Sequence, residues 1–260
     1  MARLSIEAVG KRFTSRDGRV VEALAPVDLV IEAGEFVTIV GPSGCGKSTL
    51  LNLLSGLSDP SSGRTLFDGR EITGVDRRIG YVTQQDNLFP WRTLRDNVAF
   101  PLELAGVSLK ERQARADEWL AKVGLAGFGA AYPHELSGGM RQRGNIIRTL
   151  IYEPAIILMD EPFGPLDAQT RLTLQALLLR IWETTRPTVL FVTHDLVEAI
   201  ALADRVLLMS ARPGRILRDD RVDIPRPRDV FFIHDNPVFR TLHDGIWHEL
   251  AREVQDVAPA

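Results

Sequence analysis

The sequence predicts an α/β fold, and three observations carry that prediction. The first is Phe36-Val37-Thr38-Ile39-Val40, an apolar, β-branched run that leads through a glycine-rich loop into Leu50-Leu51-Asn52-Leu53-Leu54. Strand, loop and helix in that order form the opening of an α/β unit. The second is a pair of further buried-strand runs, Ala155–Met159 and Thr188–Thr193, each ending in polar residues and each followed by a helical stretch. The third is length: 260 residues suit one large α/β domain, alone or with a small appended subdomain. A chain of that size buries a full core without disulfide or metal staples.

The loop itself, Gly41-Pro42-Ser43-Gly44-Cys45-Gly46-Lys47-Ser48-Thr49, fits the G-x-x-x-x-G-K-[ST] pattern at Gly41, Gly46, Lys47 and Ser48. Glycines lack a Cβ, so successive backbone N–H groups can curl inward onto phosphate oxygens. The helix starting near Lys47 adds the positive end of its dipole. Lys47 supplies a mobile charge for the outer phosphates, and the Ser48 hydroxyl can ligate Mg²⁺. The motif in this setting therefore favours nucleotide binding over a plain turn. Cys45 sits near a helix start, where a thiolate is favoured, but it reads more simply as a small space-filling residue.

Composition narrows the class. The net charge is −3, without the basic excess of a dedicated nucleic-acid binder. A single cysteine excludes an internal disulfide and fits a reducing compartment. No apolar run approaches the roughly 20 residues that cross a bilayer. Met1-Ala2-Arg3-Leu4-Ser5-Ile6-Glu7 meets charge too early for a signal peptide. A soluble, cytoplasmic protein is expected, attached to any membrane only through a partner.

The remaining elements follow in order. Leu4–Val9 alternates as a half-buried strand, and Val20–Ile31 is a second extended stretch ending at Ala33-Gly34. Phe13 lies between them, an aromatic on an N-terminal sheet that can lie beside the phosphate loop; stacking on adenine and a plain core or edge aromatic are both open. Arg64–Asp68 is a short strand closed by Asp68-Gly69, and Arg78–Thr83 a core strand. Gln84 follows that strand, where its amide can reach a metal or water or simply turn the chain. From Trp91 to about Ala130 the pattern is helical, with Lys110–Val123 rich in Glu, Arg, Ala and Leu.

Glu135-Leu136-Ser137-Gly138-Gly139-Met140 then turns into a helix carrying Arg141 and Arg143, a second potential anion site. One nucleotide already fills its own loop, so the second site invites an arrangement shared between two chains. Asp160 and Glu161 cap the strand Ala155–Met159. Strand alternation would point them to opposite sides and give them two tasks. Asp160 can hold Mg²⁺, often through water, and Glu161 can polarise an attacking water. Asp167 is explained by capping the helix Ala168–Glu183. His194 ends the strand Thr188–Thr193 as Asp160 and Glu161 end theirs, which suggests a γ-phosphate contact. Leu196–Ala203 reads as a helix, and Arg205–Ser210 as a strand. Arg212-Pro213-Gly214-Arg215 is a turn, Pro225-Arg226-Pro227-Arg228 a linker-like run, and Asn236–Val254 a C-terminal helix. His243 and His248 lie five apart, a poor match to paired metal ligands.

With these motifs in place, residues 1 to about 225 resemble the ATP-binding subunit of an ABC transporter. Leu136-Ser137-Gly138-Gly139-Met140 is similar to the ABC signature, the most specific of the features. Gln84 matches the Q-loop, Asp160 and Glu161 the Walker B pair, Asp167 the D-loop, His194 the switch histidine and Phe13 the A-loop aromatic. The resemblance implies a P-loop NTPase (RecA-like) core with an N-terminal antiparallel β subdomain and an α-helical signature subdomain at about 91–150. Residues 226–260 would form a C-terminal helical extension.

The resemblance also implies ATP and Mg²⁺ as ligands, the metal held by Ser48, Gln84 and Asp160, partly through water. It implies catalysis by Glu161 with His194 and Gln84, and a head-to-tail homodimer. In that dimer Ser137, Gly138 and Gly139 contact the ATP of the partner copy, and Asp167 lies at the dimer face. Transmembrane permease subunits would dock near Gln84, at the cytoplasmic face of the inner membrane. Through them would come a periplasmic or lipid-anchored substrate-binding protein. Leu88–Thr93, Phe191–Asp195 and Met209–Arg215 are similar to the nitrate/sulfonate/taurine importers. Gly144-Asn145-Ile146-Ile147 and Pro165 depart from the family pattern, at positions of packing rather than chemistry. A soluble ATPase of the same family is the alternative, but the long coiled coil or second cassette of such proteins is missing. A phosphotransfer kinase would leave Ser137–Gly139 unexplained.

Overall fold

The computed structural model describes residues 3–255. Met1 and Ala2, which opened the signal-peptide argument, and the last five residues of the 226–260 extension lie outside the described residues. The first strand runs longer than the alternating pattern: β1 (Leu4–Thr14) pairs antiparallel with β2 (Val20–Ile31), Leu4 facing Ile31 and Phe13 facing Val21. β1 continues past Val9 because Lys11, Arg12 and Phe13 still find ladder partners, although Arg12 and Phe13 are exposed and Lys11 is only part-buried. β4 (Ser62–Phe67) and β5 (Arg70–Glu71) complete an antiparallel sheet in the order β2-β1-β4-β5.

The second sheet holds β3 (Phe36–Val40), β6 (Ile79–Val82), β7 (Ile156–Asp160), β8 (Thr188–Val192), β9 (Arg205–Met209) and β10 (Ile216–Arg221). Its order is β10-β9-β3-β8-β7-β6, parallel except for β10. β3 and β8 are buried along their whole length, as parallel strands covered on both faces must be. Register sets the level of the strand ends: Ile39 and Asp160 both pair with Val192, and Val82 pairs with Met159. The carboxyl ends of β3, β6, β7 and β8 therefore open on one edge, where ligands bind in sheets of this kind.

Helices cover both faces. α1 (Lys47–Leu54) buries Leu50, Leu51, Leu53 and Leu54 between the two sheets. α5 (Ala168–Thr185), α6 (Leu196–Leu202) and α7 (Pro237–Gln255) cover the other face around Phe36, Trp182 and Phe191. α2 (Leu94–Leu104), α3 (Leu109–Lys122) and α4 (Gly138–Leu150) form the helical subdomain around Leu94, Val98, Leu120 and Ile147. Thr93 and Ser108 cap α2 and α3, accepting from Asp96 N–H at 3.2 Å and Glu111 N–H at 3.4 Å.

The Pro225–Arg228 run is not a tether. Arg226 donates to Leu202 O at 2.7 Å and to Asp204 at 2.8 Å, and Arg228 donates to Ile200 O at 3.2 Å. These carbonyls close α6, so the two arginines satisfy its open C-terminal end. Val230, Ile233, Phe239, Ile246 and Leu250 then enter the same core as Trp182. Prolines and charge gave the run its linker character; the capping role depends on α6, which is distant in sequence.

Candidate functional site

The site begins with the bend out of β3. Gly46 takes φ +112° as the N-cap of α1, and a Cβ there would stand 2.7 Å from Leu24 Cδ2 and 2.9 Å from Ala23 O. Both conformation and crowding demand glycine. Lys47 is only 6 % exposed, and its ammonium donates to Gly41 O at 2.8 Å and Pro42 O at 2.9 Å. The loop thus folds around its own cation. Cys45 is buried beside it, and burial pushes the thiol above its usual range. That favours the space-filling reading over a reactive thiolate.

Ser43, Gly44, Gly46, Lys47, Ser48 and Thr49 line a cavity of about 470 Å³ together with Phe13, Val21, Ala23, Gln84, Glu161 and Arg212. Phe13 is half-exposed there, with Lys11 Nζ 5.2 Å from its ring centroid. An aromatic face and a phosphate cradle at two ends of one cavity have the dimensions and chemistry of a nucleotide site.

Across the cavity stand the carboxylates. Ser48 Oγ donates to Asp160 Oδ1 at 3.1 Å. Burial raises the Asp160 pKa, against the hydrogen bond from Ser48, and burial next to Asp160 raises that of Tyr81. Ser48 and Asp160 offer hard oxygen donors, with the Gln84 amide near by, a set that fits Mg²⁺. Among the described residues no cluster of three His, Cys, Asp or Glu suits a metal by itself.

Glu161 is not placed by strand alternation. Its φ is +43°, its N–H donates to Val192 O at 2.9 Å, and the chain has left β7. A left-handed, non-glycine residue here is strained backbone at a point of converging side chains. Glu161 Oε2 lies 3.1 Å from His194 Nδ1 and accepts from Gln84 Nε2 at 3.4 Å. Residues from the ends of β6, β7 and β8 thereby meet on one carboxylate. Such a carboxylate can take a proton from water while its two partners fix its orientation.

Four expected site residues, Ser137, Gly138, Gly139 and Asp167, stand elsewhere. Ser137 caps α4, accepting from Met140 N–H at 3.3 Å, and Gly138 lines a second cavity of about 730 Å³ with Gln84, Asp86, Arg141, Gln142 and Pro165. The signature turn does not line the phosphate-loop cavity. Asp167 caps α5 by accepting from Thr170 N–H at 3.0 Å, and a Cβ on Gly139 would stand 2.8 Å from Thr170 Cγ2. The signature turn and the Asp167 turn are therefore neighbours.

Behind the site, Arg171 of α5 bonds Asp195, the N-cap of α6, at 3.2 Å, and Gln175 donates to Glu198 at 2.9 Å. This link between the Asp167 and His194 turns escaped the sequence reading, because a glutamate inside a helix looks like any solvated charge. Burial pushes Glu198 up to about 7. A raised carboxyl stabilises the fold while protonated, and that contribution fades as pH rises from about 4.5 toward 7. Glu198→Gln keeps the acceptor and removes the titration. It is expected to flatten the fall in melting temperature over that window and to be the more stable protein above pH 7, by up to ~3 kcal/mol. Parallel melting curves for the two proteins across pH 5–7.5 would refute this.

Comparison with known proteins agrees with the geometry. Residues 24–164 match the family model described as ABC transporter. An uncharacterized ABC transporter ATP-binding protein of Methanocaldococcus jannaschii is 49% identical over 87% of this chain and 85% of its own. The aliphatic sulfonates import ATP-binding protein SsuB of Bacillus cereus is 45% identical over 86% of this chain and 88% of its own. The dimeric post-hydrolysis structure of the ATP-binding cassette MJ0796 bound to ADP and Pi superposes with a TM-score of 0.77. It is 35% identical and covers 85% of this chain and 100% of that one. With its parallel core, antiparallel β subdomain and helical signature subdomain, the chain belongs to the ABC transporter family of ATP-binding cassettes.

Proposed function

We propose that this cassette hydrolyses ATP to drive an importer for a sulfonate or a related small nutrient such as taurine or nitrate. The observation that carries the hydrolytic reading is the meeting of Gln84, Glu161 and His194 opposite the phosphate loop. Lys47 and the loop amides hold the β- and γ-phosphates, and Phe13 stacks on the adenine. Ser48, Asp160 and Gln84 would hold Mg²⁺, which when bound neutralises phosphate charge. Glu161 accepts the proton of a water as its oxygen bonds to the γ-phosphorus and the bond to the bridging oxygen breaks. His194 keeps Glu161 aimed and reaches the γ-phosphate.

The position of Ser137–Gly139 outside the phosphate-loop cavity supports a shared site. A second copy, set head to tail, brings its signature turn over the ATP of the first, with Asp167 between the copies. Closure on ATP and opening after hydrolysis then move the membrane subunits. Trp91 supports the docking place of a permease: it is 72 % exposed, in the segment that leads from Gln84 into α2. Its turn is fixed by the buried Asn97, which accepts from Phe89 N–H at 2.7 Å and donates to Phe89, Arg92 and Thr93 carbonyls. Among the described residues no helix is long and apolar enough to cross a membrane. Attachment to the cytoplasmic face through a permease, and supply of cargo by a periplasmic or lipid-anchored binding protein, complete the proposal.

The cargo reading rests on the SsuB relative and is tested by uptake. Cells lacking the chain should lose uptake of a labelled alkanesulfonate, taurine or nitrate, and regain it with the wild-type chain but not with Glu161→Gln. The chain should also copurify with detergent-solubilised membranes. Unchanged uptake of all three solutes would sink the cargo assignment; a chain found wholly in the soluble fraction would favour the ATPase without membrane partners.

A further inference from the structure

The turn after β9 lies against the phosphate loop. Gly214 donates its N–H to Ala23 O at 3.0 Å and accepts from Ala25 N–H at 3.2 Å. A Cβ on Gly214 would stand 2.2 Å from Cys45 O, so only glycine lets the turn pass between β2 and the loop. Arg212 then reaches onto the loop: its Nε and Nη2 both donate to Gly44 O, at 3.3 and 3.1 Å. Its side chain is exposed and lines the same cavity as Phe13 and Lys47. Among the described residues Gly44 O is its only polar partner, and no carboxylate offsets its charge. The rest of its five-donor fork is free for a ligand.

The same turn is held from the other side by α7. The Glu253 carboxylate accepts from Ala211 N–H at 2.7 Å. Arg218 of β10 donates to Gly245 O at 2.9 Å and lies 3.5 Å from Glu249. Residues 245, 249 and 253 are spaced four apart, so one face of α7 runs along the β9–β10 hairpin and ends on the turn that carries Arg212. A C-terminal helix is thereby tied to the phosphate loop through one residue on each side of a peptide bond.

We propose that Arg212 is a phosphate ligand of the bound nucleotide and that Glu253 is its positioning residue. This rests on the reading of the cavity as the ATP site. Lys47 is held on Gly41 and Pro42, on the inner side of the loop; Arg212 supplies a second cation on Gly44, from outside the loop motif. A planar guanidinium can keep one edge on the Gly44 carbonyl and offer the other to phosphate oxygens, a geometry a lysine cannot reproduce. The helix beyond residue 225 then acts on nucleotide affinity without touching the nucleotide.

Calorimetric titration of the full chain with MgATP tests this. Arg212→Ala is expected to weaken binding about tenfold, as loss of one charge-assisted contact would, and Arg212→Lys to recover only part. Glu253→Ala should weaken it about threefold in the wild-type background and not at all on top of Arg212→Ala, as coupled residues behave. Lys47→Ala serves as the reference. If it loses ATP while Arg212→Ala stays within twofold of wild type, Arg212 is no ligand. An equal Glu253→Ala loss in both backgrounds would overturn the positioning role. If Lys47→Ala itself binds like wild type, the cavity is not the ATP site and the underlying reading falls instead.

Discussion

Glu161→Gln is expected to cut steady-state ATP turnover by at least about 100-fold and to leave ATP bound. General bases contribute roughly 10²–10⁴ to rate, and this substitution removes proton acceptance while keeping the shape. The backbone at Glu161 is fixed by its N–H to Val192 O at 2.9 Å and by a left-handed φ of +43°, neither of which depends on the carboxylate charge. Glutamine can still meet His194 and Gln84, now 3.1 and 3.4 Å from the carboxylate. Binding should therefore survive and chemistry should not. A variant that binds but cannot hydrolyse has no exit from the closed state, so a dimer should accumulate on a sizing column when ATP is added. Phosphate release within a few fold of wild type would take the proton from some other group and remove Glu161 from the mechanism.

Most of the frame was legible because its signals are local. β2 (Val20–Ile31), β3 (Phe36–Val40) and the cap Asp167 depend on residues within a few positions. The converging side chains were legible for a different reason: each sits just past a buried strand, and parallel strands share one carboxyl edge. What stayed hidden depends on contacts between distant segments. Alternation assigned Asp160 and Glu161 to opposite sides of a strand, but the chain leaves the strand at Glu161, and no residue type announces a positive φ at a glutamate. Arg226 and Arg228 look like linker charges until α6 presents its last carbonyls to them. Arg212 reads as part of a turn, and its contact with Gly44 spans 168 residues.

Lys47→Ala should abolish measurable MgATP binding, a loss of at least about 100-fold, while the free protein melts close to wild type. Two effects oppose each other in the free protein. The variant loses the hydrogen bonds to Gly41 O and Pro42 O at 2.8 and 2.9 Å, each of the charge-assisted kind. It also removes an ammonium that is only 6 % exposed, and burying a charge costs free energy. The near-cancellation ends when nucleotide enters, because the ammonium is then the one full charge of the loop motif beside the polyphosphate. Thermal shift separates the two states. A ligand at 100 times its dissociation constant stabilises by about 2.7 kcal/mol, so wild type should gain several degrees with saturating MgATP and the variant none. Equal ATP-dependent shifts in both proteins would remove Lys47 from phosphate binding, leave it only as a brace on Gly41 and Pro42, and overturn the reading of this cavity as the ATP site.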